Sequence, residues 1–358
     1  MNELINEGAV LGLAEHLEQA GGGQLASVRA SAVGLDDLSL RERSDRVSAA
    51  IIGDLGDYNT VQRVVRGALR SPTLRGWTMW PVGEAVTTTA LVDGGVFEDA
   101  LALQAELTPR LTSEFAIRRL LAADLDRALK VVGTWTSSPD EHVRRLASEG
   151  TRSYLPWAIR VPALLARPDA TIPILDSLYR DESETVRRSV ANHLNDLART
   201  HPELVVVTAR RWLDEPDENT ARLVRHALRT LIKKGHPGAL ELLGYGSVSV
   251  AVSRPTLDTP VVHLPGHLRF DVEVTNTAST PATLAIDYAI HFVKSTGALS
   301  DKVFKLASVT LAPGETARLS KGHTFRQMTT RVHYSGTHAL EIQVNGERHG
   351  TVVFEIVA

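Results

Sequence analysis

Two stretches of this chain put the same residue types at nearly the same spacing. VRRLASEGTR (143–152) and VRRSVANHLND (186–196) each open on a valine and two arginines and run on to a carboxylate. On a helix, Arg145, Glu149 and Arg152 fall on one side. Arg188, Asn192 and Asp196 repeat at i, i+4, i+8, beside an apolar stripe of Val186, Val190 and Leu194. Carboxylates set among cations have two uses. They make helix ion pairs worth a few tenths of a kcal/mol, or they supply the charged groups of a catalytic groove. A Glu149–Arg145 pair and a turn contact for Asp196 satisfy the first use, and spacing alone does not choose between them.

Other residue types narrow the chemistry. YLPWAIRVP (154–162) carries Trp157 between two prolines, so a long helix is excluded there. That tryptophan is either core or an exposed platform for stacking on a base or sugar. Trp77, Trp80, Trp135 and Trp212 are expected in the core or between repeats. The 13 histidines show no metal spacing, and there is no Cys, phosphate loop or nucleophile elbow. Cofactor and metal chemistry are therefore not expected. Catalysis, if present, falls to carboxylates, tryptophan and cations.

The elements that position these residues come in two grammars. Residues 1 to about 240 read as helices, with Ser39 as an N-cap, one long helix from Ser113, and breaks at Pro72, Pro81, Pro139, Pro168, Pro202, Pro216 and Pro237. Three segments, 137–150, 180–194 and 214–228, share an acidic turn followed by a helix with apolar and basic residues. Val143 and Val186 are 43 positions apart, and Asp181 and Asp217 are 36 apart. That period predicts a HEAT-like solenoid whose second helices line a concave face. The scatter of arginine pairs (118–119, 144–145, 187–188, 210–211) then makes a basic stripe, or a set of solvated helix faces. Residues 114–235 carry 20 basic and 17 acidic side chains within a chain of net charge −3, so the stripe is local.

After about residue 245 apolar and polar residues alternate, in 247–253, 268–277, 282–293 and 338–357. NGERHG marks a hairpin and APGE (312–315) a turn. These predict an immunoglobulin-like antiparallel β-sandwich over 245–358, following a helical domain over 1–244. The whole is an α+β multidomain chain of 358 residues. The amino-terminal 20 residues are not a signal peptide and no segment suits a membrane helix, so a cytoplasmic protein is expected.

EFAIRRLL (114–121), HVRRLASEGTRSYLPWA (142–158), VRRSVANHLNDLARTHP (186–202) and LVRHALRTLIKKGHPGALELLG (223–244) resemble the AlkC branch of the DNA alkylation-repair glycosylases. The likeness extends over nearly the whole chain, the appended sandwich included. It implies a monofunctional glycosylase that removes cationic N3-alkylated bases, 3-methyladenine and 3-methylcytosine, and leaves an abasic site. The lesion would not be pulled into a pocket. Carried over by motif, Glu149, Asp196, Trp157 and Glu114 are the catalytic candidates. Arg145 and Arg152 would bind the backbone near the lesion, with Arg188 and Asn192 on the same ridge. The implied partner is double-stranded DNA bearing alkylated bases, held by a monomer without a cofactor. Within the polar stretch RLSKGHTFRQMTTR (318–331), Lys321, His323 and Arg326 are expected near a turn, where Lys321 and Arg326 would help the sandwich clamp the duplex. A sandwich that merely caps the last repeat is the simpler alternative.

The competing reading is a non-enzymatic HEAT scaffold that binds protein or DNA. Convergence of Glu149, Asp196 and Trp157 on the concave surface separates the two; if they are dispersed or buried, the scaffold reading is favoured.

Overall fold

The computed structural model describes residues 4–326 and 332–357, so the end of the basic stretch, 327–331, lies outside the described residues. The chain divides into two compact units, Met1–Ala227 and Leu228–Ala358.

The first unit is helical. It runs α1 (Glu7–Leu17), a wider π turn (Glu18–Gly22), α2 (Ala26–Ser31), α3 (Leu40–Leu55), α4 (Tyr58–Ala68), α5 (Met79–Val92) and α6 (Phe97–Leu107). It continues with α7 (Ile117–Ala123), α8 (Leu125–Thr134), α9 (Glu141–Glu149), α10 (Pro162–Ala166), α11 (Ile172–Leu178), α12 (Glu184–Leu197), α13 (Pro202–Asp214) and α14 (Thr220–Ala227). Ser39 caps α3 as expected, in a reciprocal capping box with Glu42. The segment from Ser113 is not one helix. Residues 114–116 form a turn, and α7 stops at Asp124, whose carboxylate accepts from Arg127 N and starts α8. Pro81 does not break a helix either. It sits in the first turn of α5, where a missing N–H costs nothing. The three repeated segments become α9, α12 and α14, packed side by side. Arg144 ties two of these units together through Asp181, at 2.7 and 3.1 Å.

The second unit begins with α15 (Arg229–Lys233) and α16 (Pro237–Leu242), earlier than a boundary at 244/245 would place it. Gly235 and Gly346 explain the shift. A side-chain carbon on Gly235 would lie 2.6 Å from the Gly346 carbonyl oxygen, so helix turn and hairpin touch backbone to backbone. Gln343 donates to the Lys233 carbonyl and Asn345 to that of Gly246.

Among the described residues nine strands follow: β1 (Val250–Val252), β2 (Thr256–Leu257), β3 (Val261–His263), β4 (Gly266–Asn276), β5 (Ala282–Val293), β6 (Leu299–Leu311), β7 (Thr316–Phe325), β8 (Gly336–Val344) and β9 (Glu347–Val357). One sheet holds β1, β2 and β7 around β4; the other has the order β3-β9-β8-β5-β6. Pairing is antiparallel except for β3 with β9, which departs from the purely antiparallel expectation. Inward residues such as Phe270, Ile286, Leu340 and Phe354 fill the space between the sheets. Asn345 and Gly346, both at positive φ, make the two-residue hairpin turn signalled by NGERHG. Among the described residues no helix is long and apolar enough to cross a membrane.

Candidate active site

The arrangement begins with the period of α9. Val143, Leu146 and Ala147 face the core, which leaves Arg145 and Glu149 one turn apart on one edge. Gly150 follows because α7 passes close by: a side-chain carbon there would overlap Ile117. The chain therefore leaves the helix tightly and brings Arg152 back over Glu149. On α12, Val186, Val190 and Leu194 are buried, which fixes where Ser189 and Asp196 point.

Arg152 joins the two carboxylates. Its Nη1 donates to Glu149 Oε1 at 2.6 Å, and its Nε donates to Asp196 Oδ2 at 2.9 Å. Glu149 is 6% exposed and Asp196 3%. Burial works against the Arg152 charge; the hydrogen bond to Asp196 and the charge of Glu149 outweigh it, and the guanidinium pKa lies above the usual arginine value. Arg145 extends the array. Its Nη1 donates to Glu114 Oε2 at 3.0 Å, and its Nη2 lies 3.8 Å from Glu149 Oε1. Thr112 Oγ1 also donates to Glu114. Glu114, Arg145, Glu149, Arg152 and Asp196 thus form one continuous line of alternating charge. Carboxylates so paired are acceptors, suited to facing a positive charge rather than to donating a proton.

Behind this line lies a polar layer that sequence reasoning missed. Ser189 Oγ donates to Glu149 Oε2 at 2.6 Å, and Ser148 Oγ donates to Ser189 Oγ at 2.7 Å. His193 Nδ1 is 2.8 Å from the Ser148 carbonyl, which only accepts, so this nitrogen carries the proton. Nε2 then accepts from Thr171 Oγ1 at 3.1 Å. Burial pushes His193 down to about 4, against the pull of its bond to Ser148. The neutral ring locks the last turn of α9, where Glu149 stands, onto α12. No spacing rule finds these residues, because serine and histidine on an apolar face resemble ordinary packing.

Arg118 and Arg144, expected in a basic stripe or on solvated helix faces, are instead buried. Arg118 is fully buried on α7 and donates to the carbonyls of Ile159 (2.6 Å), Gly150 (3.0 Å) and Arg152 (2.8 Å). Burial, then the charges of Arg160 and Arg152, lowers it to about 10. It is the hub that holds the loop of residues 150–161. On that loop Trp157 is 67% exposed at φ 63°, a left-handed conformation unusual for a bulky residue. Of the two readings of this tryptophan, the structure selects the exposed one. Tyr154 is gripped by the guanidiniums of Arg160 and Arg199, 5.0 and 4.6 Å from its ring centre. Trp80, Trp135 and Trp212 are core residues and Trp77 is half-buried.

The remaining expected residues are placed as follows. Arg152, expected on phosphate, has its guanidinium already engaged by two carboxylates. Arg188 is exposed and Asn192 half-buried on α12. A groove between α12 and α14 continues this ridge, lined by Arg187, Arg188, Arg222 and His226. Lys321 and His323 are not at a turn: both lie within β7, Lys321 exposed and His323 buried, with exposed Arg326 just beyond.

Known proteins carry the same organisation. The family model described as DNA alkylation repair enzyme matches residues 111–234, which hold the whole charged line. A second, described as the C-terminal Ig-like domain of uncharacterised protein YhaZ, matches 251–358. YhaZ of Bacillus subtilis (strain 168) is 34% identical over 322 residues, 89% of this chain and 88% of that protein. The solved structure of Pseudomonas fluorescens alkylpurine DNA glycosylase AlkC, bound to DNA containing an abasic site analog, superposes with a TM-score of 0.90. It is 35% identical and covers 100% of this chain and 99% of its own. With both the helical part and the sandwich matched, this chain belongs to the AlkC branch of the DNA alkylation-repair enzymes.

Proposed function

We propose that this glycosylase hydrolyses the N-glycosidic bond of cationic N3-alkylated bases in DNA, 3-methyladenine and 3-methylcytosine, without extracting the base from the stack. The observation that carries the reading is the match over the whole chain to the alkylpurine DNA glycosylase AlkC. Glu149 and Asp196, held by one guanidinium, are buried, which on its own favours a scaffold.

The chemistry suits the leaving group. An N3-alkylated base already bears positive charge and departs neutral, so no general acid is required. As the bond to C1′ lengthens, positive charge passes to the sugar. A fixed carboxylate beside C1′ stabilises that oxocarbenium-like species and orients water for attack from the open face. Glu149 and Asp196 take this role, with Glu114 beside them. Arg152 holds both carboxylates apart and in register. Trp157 packs on the sugar or the lesion and offers its ring face to the cation. Arg145, Arg188 and Asn192 follow the phosphate backbone, which the carboxylates would otherwise repel. The sandwich, through Lys321 and Arg326, adds a second hold on a duplex that is bent at a cost of several kcal/mol, roughly, to expose the lesion's sugar.

The experiment is base release from methylated DNA. Glu149→Gln and Asp196→Asn keep shape and remove charge. At least one of them should lose about a hundredfold in excision with the fold intact. Wild-type rates in both would remove these residues from the mechanism.

A further inference from the structure

We infer that Ser189, with Ser148 behind it, is a positioning residue for the excision reaction: its hydroxyl fixes the orientation of the Glu149 carboxylate. The inference rests on the reading of Glu149 as a catalytic group.

Two hydroxyls are buried where α9 meets α12, with Ser148 0% and Ser189 2% exposed. Packing does not explain them. A pair of alanines would occupy almost the same volume, bury no polar atom and favour both helices more strongly. The hydroxyls earn their place through direction. A carboxylate so paired only accepts, so Ser189 must donate to Glu149 Oε2, at 2.6 Å. Its oxygen is then open to accept, and Ser148 fills it at 2.7 Å. The Ser189 hydrogen has one destination, whereas Ser148 Oγ also lies 3.1 Å from the Arg145 carbonyl, a second and longer option for its hydrogen.

The result is a carboxylate gripped from two directions. Arg152 holds Oε1 at 2.6 Å and Ser189 holds Oε2 at 2.6 Å. Arg152 alone would leave the carboxylate plane free to turn about its own bond, a motion that aims the charge away from a reacting sugar. Arg152 is also shared with Asp196, so its grip follows whatever that residue does. Ser189 is fixed to the framework of α12 and makes no bond to Arg152 or Asp196 in gripping Glu149. A hydrogen bond to a charged group in such a site is worth on the order of tenfold in rate when the group must be pre-oriented.

The test is a double-mutant cycle in the full chain, using methylated duplex DNA and, separately, a duplex with an abasic analogue as binding probe. Ser189→Ala should reduce kcat for base release about tenfold, with KM and affinity for the abasic duplex unchanged and the melting temperature within a few degrees of wild type. In a Glu149→Gln background the same substitution should cost nothing further, since it acts only through that carboxylate. Ser189→Thr, which keeps the hydroxyl, should restore most of the rate. Equal losses in both backgrounds, or an unchanged kcat, would overturn the inference. Should Ser189→Ala fail to fold, Ser189→Cys, with a weak donor of similar shape, carries the same cycle. A silent Glu149→Gln substitution would instead sink the reading of Glu149. In that case the coupling of Ser189 to Glu149 measured by unfolding still reports on the hydrogen bond itself.

Discussion

The candidate site residues include arginines of two different kinds. Arg152 is nearly buried and serves two carboxylates, whereas Arg188 stands exposed on the ridge of α12. Their substitutions should part company. Arg152→Ala leaves Glu149 and Asp196 nearly buried without their shared guanidinium, and should cost about 3 kcal/mol in urea unfolding along with activity. Arg188→Ala should leave stability within about 0.5 kcal/mol and reduce the salt dependence of DNA binding by about one unit of slope. Matching stability losses in the two variants would contradict this division. At this scale the sequence was informative where residues repeat. Arg145, Glu149, Arg152 and Asp196 stood out by period, and the structure joins all four. Glu114 had no such signal and came only from the family resemblance. Ser189, Ser148 and His193 were invisible, because a buried hydroxyl or imidazole announces itself only through partners on another helix.

Between α9 and α12 the interface depends on a neutral imidazole. Below pH 6.5 the unfolded chain takes up a proton on His193 that the folded chain refuses until the pH nears 4. Stability from this group is therefore whole above pH 6.5 and declines as the pH falls from 6.5 towards 4, by up to about 3 kcal/mol. His193→Asn keeps a donor for the Ser148 carbonyl and removes the titration. Its unfolding free energy should fall less steeply over that window, as followed by denaturation at several pH values. Parallel curves for the two proteins would show that the imidazole is not held neutral. Elements were legible in proportion to how far local signals govern them. The Ser39 capping box and the Asn345–Gly346 turn were read directly, since the bonds they make are local. The apolar period of 117–132 runs through Asp124 without showing the break, which is set by a side chain capping a new helix. β6 and β7 were passed over because their exposed faces mix polar residues with irregular alternation. The loop of 150–161 has no periodicity, and its shape is dictated by the buried Arg118 of another element.

For the molecule as a whole, two grammars gave two architectures, and their junction was the least legible part. The chain continues in helical period to residue 242, yet α15 and α16 belong with the strands because glycines at 235 and 346 let two backbones touch. A chain ending at Ala227 retains every bond of the charged line. It should keep its helical circular dichroism and excise about tenfold more slowly or worse if the sandwich supplies phosphate contacts; Lys321→Ala with Arg326→Ala in the full chain should reproduce part of that defect. Full activity in the shortened chain would make the sandwich dispensable. A chain ending at Gly244 would instead carry α16 without the hairpin that buries Leu240, and should aggregate. The account stands or falls on what the intact protein releases from DNA. Duplex DNA treated with a methylating agent, incubated with the full chain and resolved for free bases, should yield 3-methyladenine and 3-methylcytosine. The strand should be left with abasic sites, and Glu149→Gln should release about a hundredfold less. No free base above the spontaneous background, from a folded protein that binds the same duplex, would contradict it.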